Sequence, residues 1–295
     1  MGTVGVIGLG HMGLPMARRL LAAAFPVMVW NRTASRAVPV VAEGARQADS
    51  PQELGAESDI VITMLADEAA ARAVLGGSSG VLAACGRGTL VIEMSTIGPV
   101  AARELAAEAA DHGVDFLDAP VSGSVSLAGQ GALTVLAGGS ASAFDRARPV
   151  LEALSRTQLH LGPSGSGAAM KLAVNLMIAA TNQAIAEALT LAQLNGIDRA
   201  AAYDALAASA VASPFVSYKR DAFLHPGDSP ASFTTALMHK DLDLAKSVAG
   251  DLELPVTEAA RRCLAAACAA GLADADFASV AEVLRARMAA NPAGT

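Results

Sequence analysis

The sequence predicts an α/β domain built on a parallel sheet, followed by an all-helical domain. Three observations predict it. Short apolar runs alternate with helix-compatible stretches through the first half of the chain. A Gly/Pro/Ser cluster at 162–167 breaks that alternation, and strand signals nearly vanish after it. At roughly 100–200 residues per domain, a chain of 295 residues holds about two domains.

Val4–Ile7 is the first apolar run and Met12–Ala24 the first helical stretch. Val27–Trp30 is followed by Ala34–Glu43, Asp59–Leu65 by Glu68–Leu75, and Thr89–Met94 by Pro99–His112. Val114–Leu117 and Leu133–Ala137 continue the strands, with a helix at Asp145–Leu154 and a short strand at Leu159–Leu161. Apolar runs separated by helices read as βαβ units in a parallel sheet covered on both faces. Gly162-Pro163-Ser164-Gly165-Ser166-Gly167 is the punctuation. Ala168–Leu194 then reads as one long helix closed by Asn195-Gly196. It is too apolar to stand alone and is expected at a domain junction or a subunit interface. A helix at Ala200–Ala208, loops around Pro214 and over Pro226–Pro230, and helices at Leu242–Asp251, Val256–Ala270 and Ala278–Ala290 complete the reading. The predicted domains are 1–163 and 164–295.

Composition narrows the function classes. A chain that is 53% hydrophobic and 17% charged buries a large core, which excludes wholesale disorder. A net charge of −7 argues against nucleic-acid binding through bulk charge, and 3% aromatic residues against base-stacking platforms. Cys85, Cys263 and Cys268 cannot all pair within one chain and lack zinc spacing, so they read as small buried residues in a reducing compartment. The five histidines form no ligand cluster, and no metal is expected. No signal peptide and no uninterrupted apolar run of about 18 residues is visible, so the expectation is a cytoplasmic protein without a membrane span.

Gly8-Leu9-Gly10-His11-Met12-Gly13 fits G-x-G-x-x-G. The pattern alone is weak, but here it follows a strand and opens a helix. Its glycines allow a tight turn and a close approach of backbone to a pyrophosphate, which the helix N-terminus favours. The first domain is therefore expected to be a Rossmann domain. The end of the second strand sets which dinucleotide binds. An NAD site usually has Asp or Glu there; this chain has Asn31-Arg32-Thr33. No carboxylate repels a 2′-phosphate, and Arg32 offers a planar charged fork for one, so NADP(H) is the expected cofactor. Met64 and Leu65 end one strand and Ser95-Thr96 the next. Leu65 is expected against adenine or ribose, and Thr96 toward the ribose or nicotinamide side.

Two further segments carry chemistry. Asp118-Ala119-Pro120-Val121-Ser122-Gly123-Ser124 is a turn rich in small residues and donors. It suits a carboxylate, and it equally suits an ordinary Ser/Gly turn. Lys171 and Asn175 lie four apart in the long apolar helix and share a face. Lysine there needs a task or a partner, unless it snorkels to the surface.

The segments Gly5–Gly13, Asp115–Gly131, Gly165–Asn175 and Phe233–Ala245, taken together and in order, resemble the β-hydroxyacid dehydrogenase family. That resemblance implies a Rossmann domain, a helical domain and a homodimer or homotetramer. Residue by residue, it implies that Lys171 is the catalytic lysine and that Ser122 and Gly123 hold a substrate carboxylate. It implies that Asn175 orients substrate and lysine, that Thr96 and Lys240 lie near the nicotinamide, and that Phe233 lines the pocket. Trp30-Asn31-Arg32-Thr33, Met64-Leu65-Ala66-Asp67 and the 171–175 segment look most like the glyoxylate/succinic semialdehyde reductase branch, which favours NADPH. Ala66 and Val174 depart from the 3-hydroxyisobutyrate dehydrogenases. The expected activity is hydride transfer between NADP(H) and a small carboxylate-bearing aldehyde or hydroxy acid. A 3-hydroxyisobutyrate or tartronate semialdehyde dehydrogenase, an imine reductase and a redox-inactive cofactor-binding protein are the alternatives; Lys171 counts against the last two.

Overall fold

The computed structural model describes residues 2–228 and 230–290. Ser229, within the expected loop at 226–230, and residues 291–295, at the end of the expected second domain, lie outside them. The chain divides into two compact units, Met1–Lys171 and Leu172–Thr295. The division falls inside a long helix rather than in the Gly/Pro/Ser cluster, because Ala168 in that helix's first turn packs into the core of the first unit.

Among the described residues the first unit carries nine strands: β1 (Val4–Ile7), β2 (Val27–Trp30), β3 (Arg46–Gln47), β4 (Ile60–Thr63), β5 (Leu90–Glu93), β6 (Asp115–Asp118), β7 (Val121–Ser122), β8 (Leu133–Gly139) and β9 (Ser155–His160). Their order is β3-β2-β1-β4-β5-β6-β8-β7, with β9 also on β8. The order reverses between β1 and β4, the switch point where ligands sit beyond the strands' carboxyl ends in doubly wound folds. Interleaved helices are α1 (Gly13–Ala22), α2 (Val38–Ala42), α3 (Pro51–Glu57), α4 (Glu68–Leu75), α5 (Val81–Ala84), α6 (Pro99–Asp111), α7 (Val125–Gln130) and α8 (Ala141–Leu154). Alternate strand residues face opposite cores: Val6, Ile62 and Ile92 pack with Met16 and Leu20, and Ile7, Val61 and Val91 with Leu75 and Leu105. Burial on both faces is why these strands read as continuous apolar runs.

The expected parallel sheet is parallel from β1 to β6 and departs from that at one end. β8 runs antiparallel to β6 and β7. Only residues 123–132 separate β7 from β8, too few for the crossover of about a dozen residues or more that a parallel return requires. The two-residue β3 and β7, and α3, α5 and α7, were not expected either; all are too short to show periodicity.

The second unit is helical: α9 (Ser166–Leu194) leads into it, followed by α10 (Arg199–Ala208), α11 (Pro214–Leu224), α12 (Thr235–Ala249), α13 (Pro255–Ala267) and α14 (Val280–Ala290). The expected loop around Pro214 is in fact the start of α11. Ser213 accepts from the Val216 N–H at 3.2 Å, and Pro214 takes the first helical position, where its missing N–H costs nothing. α9 is long and apolar enough to cross a membrane by length and composition, although Lys171, Asn175 and Asn182 interrupt its apolar run. In the fold, Ile185, Ala186 and Leu189 on α9 pack with Tyr203, Phe223, Leu242 and Phe277 as the core of the second unit.

Candidate active site

The glycine turn after β1 shows why each of its glycines is there. Gly8 has φ +98°, and a Cβ on it would meet the Met64 carbonyl oxygen at 2.2 Å. A Cβ on Gly13 would meet the Gly8 oxygen at 1.9 Å. Both are demanded by the protein's own packing. Gly10 meets nothing within 4 Å, so its bareness leaves open space over the turn, as a pyrophosphate needs. Leu9 is buried; His11 is exposed; Met12 precedes Gly13, where α1 opens, and the first N–H groups of a helix lack intrahelical acceptors. These residues fit a dinucleotide.

At the end of β2, Asn31 serves the turn itself. Its Oδ1 accepts from the Leu9 N–H at 2.9 Å, and its Nδ2 donates to the Thr33 carbonyl at 2.9 Å. Arg32 and Thr33 are exposed beside it. Arg36, one turn further along in a short 3-10 helix (Ala34–Ala37), is a second exposed guanidinium that the sequence reading left out.

A polar row runs across the carboxyl edge of the sheet. Ile7 is paired with Thr63, Thr63 with Glu93, and Glu93 with Asp118. Thr63, Glu93 and Asp118 are fully buried. Glu93 accepts from the Thr63 hydroxyl at 2.7 Å and from the Ser95 N–H at 2.6 Å, while Ser95 Oγ accepts from the Leu65 N–H at 2.7 Å. Glu93 thereby fixes the ends of β4 and β5, on which Met64, Leu65 and Thr96 ride. Burial pushes the Glu93 carboxyl above its ordinary range, and the bonds from Ser95 and Thr63 oppose that rise. Asp118 is likewise pushed up by burial, against bonds from the backbone N–H groups of Gly165 and Ala168.

Ser122 is half-buried on β7, paired with Thr134. Gly123 is exposed with φ +144°, a conformation open to glycine and strained for other residues. Ser124 then caps α7, accepting from the Leu127 N–H at 3.3 Å. Lys171 is half-buried on α9 and ends the first unit.

In the second unit, Asn175 lies one turn beyond Lys171 on the same helix and is buried. Its Nδ2 donates to Asp241 Oδ2 at 2.5 Å. Lys240, half-buried on α12, holds its Nζ 3.1 Å from the other Asp241 oxygen. Asp241, which no local sequence signal marks, is the buried acid that joins Asn175 to Lys240. Phe233 sits before α12, edge-on to Phe277 with ring centroids 6.0 Å apart. Among the described residues no group of His, Cys, Asp or Glu has the arrangement of a metal site.

The fold and the glycine turn define a Rossmann dinucleotide-binding protein, and the comparisons make it a nicotinamide-dependent oxidoreductase. Residues 3–162 match the family model described as the NAD binding domain of 6-phosphogluconate dehydrogenase. Residues 165–284 match the model described as the NAD-binding region of NADP-dependent 3-hydroxyisobutyrate dehydrogenase. The chain is 34% identical to the 2-(hydroxymethyl)glutarate dehydrogenase of Eubacterium barkeri, over 95% of this chain and 94% of that one. It is 34% identical to the chloroplastic glyoxylate/succinic semialdehyde reductase 2 of Arabidopsis thaliana, over 96% and 80%. The solved 3-hydroxyisobutyrate dehydrogenase of Mycobacterium tuberculosis with L-serine superposes with a TM-score of 0.85 at 36% identity, covering 97% of this chain and 99% of that one. The chain belongs to the β-hydroxyacid dehydrogenase family.

Proposed function

We propose that this enzyme reduces a small carboxylate-bearing aldehyde, of the glyoxylate or succinic semialdehyde kind, with NADPH, and catalyses the reverse oxidation of the hydroxy acid. The observation that carries the cofactor choice is the end of β2. Arg32, Thr33 and Arg36 are exposed there, and no carboxylate stands where an NAD site would place one. Guanidinium groups suit a 2′-phosphate through charge-assisted bonds.

When bound, the nicotinamide supplies or accepts the hydride. The Lys171 ammonium stabilises negative charge on the carbonyl oxygen and donates its proton there; in oxidation the neutral amine takes the proton back. Ser122 and the Gly123 backbone hold the substrate carboxylate and so set which carbon faces the hydride. Asn175, tied to Asp241, orients substrate and lysine, Phe233 lines the pocket, and Thr96 and Lys240 serve the nicotinamide end. We further propose a homo-oligomer: Met177 and Leu191, about four turns apart on α9, are each 64% exposed, and a second copy would cover them.

The test is NADPH oxidation with glyoxylate, succinic semialdehyde, tartronate semialdehyde, methylglyoxal and a cyclic imine, each repeated with NADH. Turnover of a carboxylate-bearing aldehyde with preference for NADPH supports the reading. Turnover of the imine alone, or equal use of NADH, overturns it.

A further inference from the structure

The first turn of α9 is held by one side chain. Asp118, at the carboxyl end of β6, accepts from the Gly165 N–H at 2.7 Å through Oδ1 and from the Ala168 N–H at 2.8 Å through Oδ2. No basic side chain hydrogen-bonds or ion-pairs with it among the described residues; its partners are backbone N–H groups at the positive end of a 29-residue helix. The fit around it is tight. A Cβ on Gly138 would meet Asp118 Oδ1 at 2.8 Å, and one on Gly167 would meet the Leu136 oxygen at 2.2 Å and the Asp118 carbonyl at 2.5 Å. The helix start is thus pressed onto β6 and β8 and clamped there by a buried carboxylate. Lys171 is three residues beyond Ala168, on the same face, and a helical side chain covers the turn preceding its own Cα. The turn beneath the Lys171 side chain is therefore the turn that Asp118 fastens.

We infer that Asp118 is a positioning residue for Lys171, fixing the height and rotation of α9 so that the ammonium meets the carbonyl oxygen. The inference rests on the reading of Lys171 as the proton donor. Asp118 also begins the 118–124 segment that carries Ser122. One carboxylate therefore ties the start of the substrate turn to the start of the lysine helix, the two parts whose separation the reaction must hold constant. A misplacement of about 1 Å can cost on the order of 100-fold in rate.

The experiment is a double-mutant cycle of Asp118→Asn with Lys171→Ala, with kcat, KM and cofactor affinity measured on the full chain. Asp118→Asn keeps one acceptor oxygen and sets an amide against the second N–H. Expected is a kcat about tenfold or more below the parent, with KM and the Kd for NADPH within about threefold. In the Lys171→Ala background the same substitution should change the residual rate by less than about twofold, because its effect passes through the lysine. Should Asp118→Asn not fold, Asp118→Ser, with a smaller acceptor, is read in the same cycle. A folded variant with parental kcat overturns the inference. So does an equal loss in both backgrounds, which marks a general structural role. Full activity in Lys171→Ala alone refutes the reading of Lys171 itself and is seen separately from either result.

Discussion

Asn175 and Asp241, 66 positions apart in sequence, form a buried hydrogen bond of 2.5 Å, with Lys240 against the far oxygen of the same carboxylate. A buried acid between an amide and an ammonium holds both in place, and truncating it strands the Asn175 donor away from water. Asp241→Ala should lower stability by about 1–3 kcal/mol, the usual cost of an unpaired buried donor. The double substitution with Asn175→Ala should cost less than the sum of the singles. Urea denaturation of the four proteins measures this; strict additivity would show that the two side chains are not coupled.

Lys171→Ala should reduce turnover by about 10²–10⁴, the range for a lost general acid/base, while NADPH still binds. Fluorescence titration of the cofactor separates a chemical defect from a binding one. Near-parental turnover would remove Lys171 from the mechanism.

Arg32→Ala should weaken NADPH by roughly 10–100-fold, as the loss of charge-assisted bonds to a 2′-phosphate predicts, and leave NADH nearly unchanged. Arg36→Ala should act in the same direction. Equal losses for the two cofactors would mean that neither guanidinium reads the phosphate.

The sequence exposed the parts of this protein that repeat or punctuate. Strands such as Val4–Ile7 and Val27–Trp30 and the helix Glu68–Leu75 were legible because burial on both faces or one face imposes a pattern over several residues. The two-residue β3 and β7 carry no such pattern, and the direction of β8 depends on how β7 and α7 turn the chain, which no local period encodes. In the site, the G-x-G-x-x-G turn and Lys171 stood out because glycine spacing and a lysine in an apolar helix are locally unusual. Glu93, Asp118 and Asp241 did not stand out as partners. Their roles come from β5–β6 pairing, the α9 start and a bond across 66 positions, and single-residue identity does not reveal them.

Glu93 gives the protein a testable pH response. Its folded carboxyl titrates above the ordinary range because it is buried, so as pH rises from about 4 the unfolded chain releases this proton first. The stabilisation associated with the protonated native form is complete below the unfolded pKa and is lost as pH rises through the folded one. Asp118 acts in the same direction. Glu93→Gln keeps an oxygen for the Ser95 N–H and offers an amide to the Thr63 hydroxyl, which reverses its role to accept. The variant should show a smaller fall in stability between about pH 4 and 8 than the parent. Urea midpoints measured across that interval decide it; an unchanged slope assigns the pH response elsewhere.

The packing requirement at Gly13 and the open-space requirement at Gly10 should separate experimentally. Gly13→Ala forces a methyl group toward the Gly8 carbonyl, where a Cβ would stand 1.9 Å away, and the backbone there cannot yield as a flexible side chain would. The expected loss of stability is at least about 1–3 kcal/mol, as for overpacking in a tight core. Gly10→Ala meets no neighbour within 4 Å and does not require a positive φ, so its stability should stay within about 0.5 kcal/mol of the parent. Its methyl group occupies the space that the pyrophosphate needs, so NADPH affinity should fall by about tenfold or more. Thermal melts and cofactor titrations on both variants test the pair. Tight NADPH binding by a stable Gly10→Ala protein would place the pyrophosphate away from this turn.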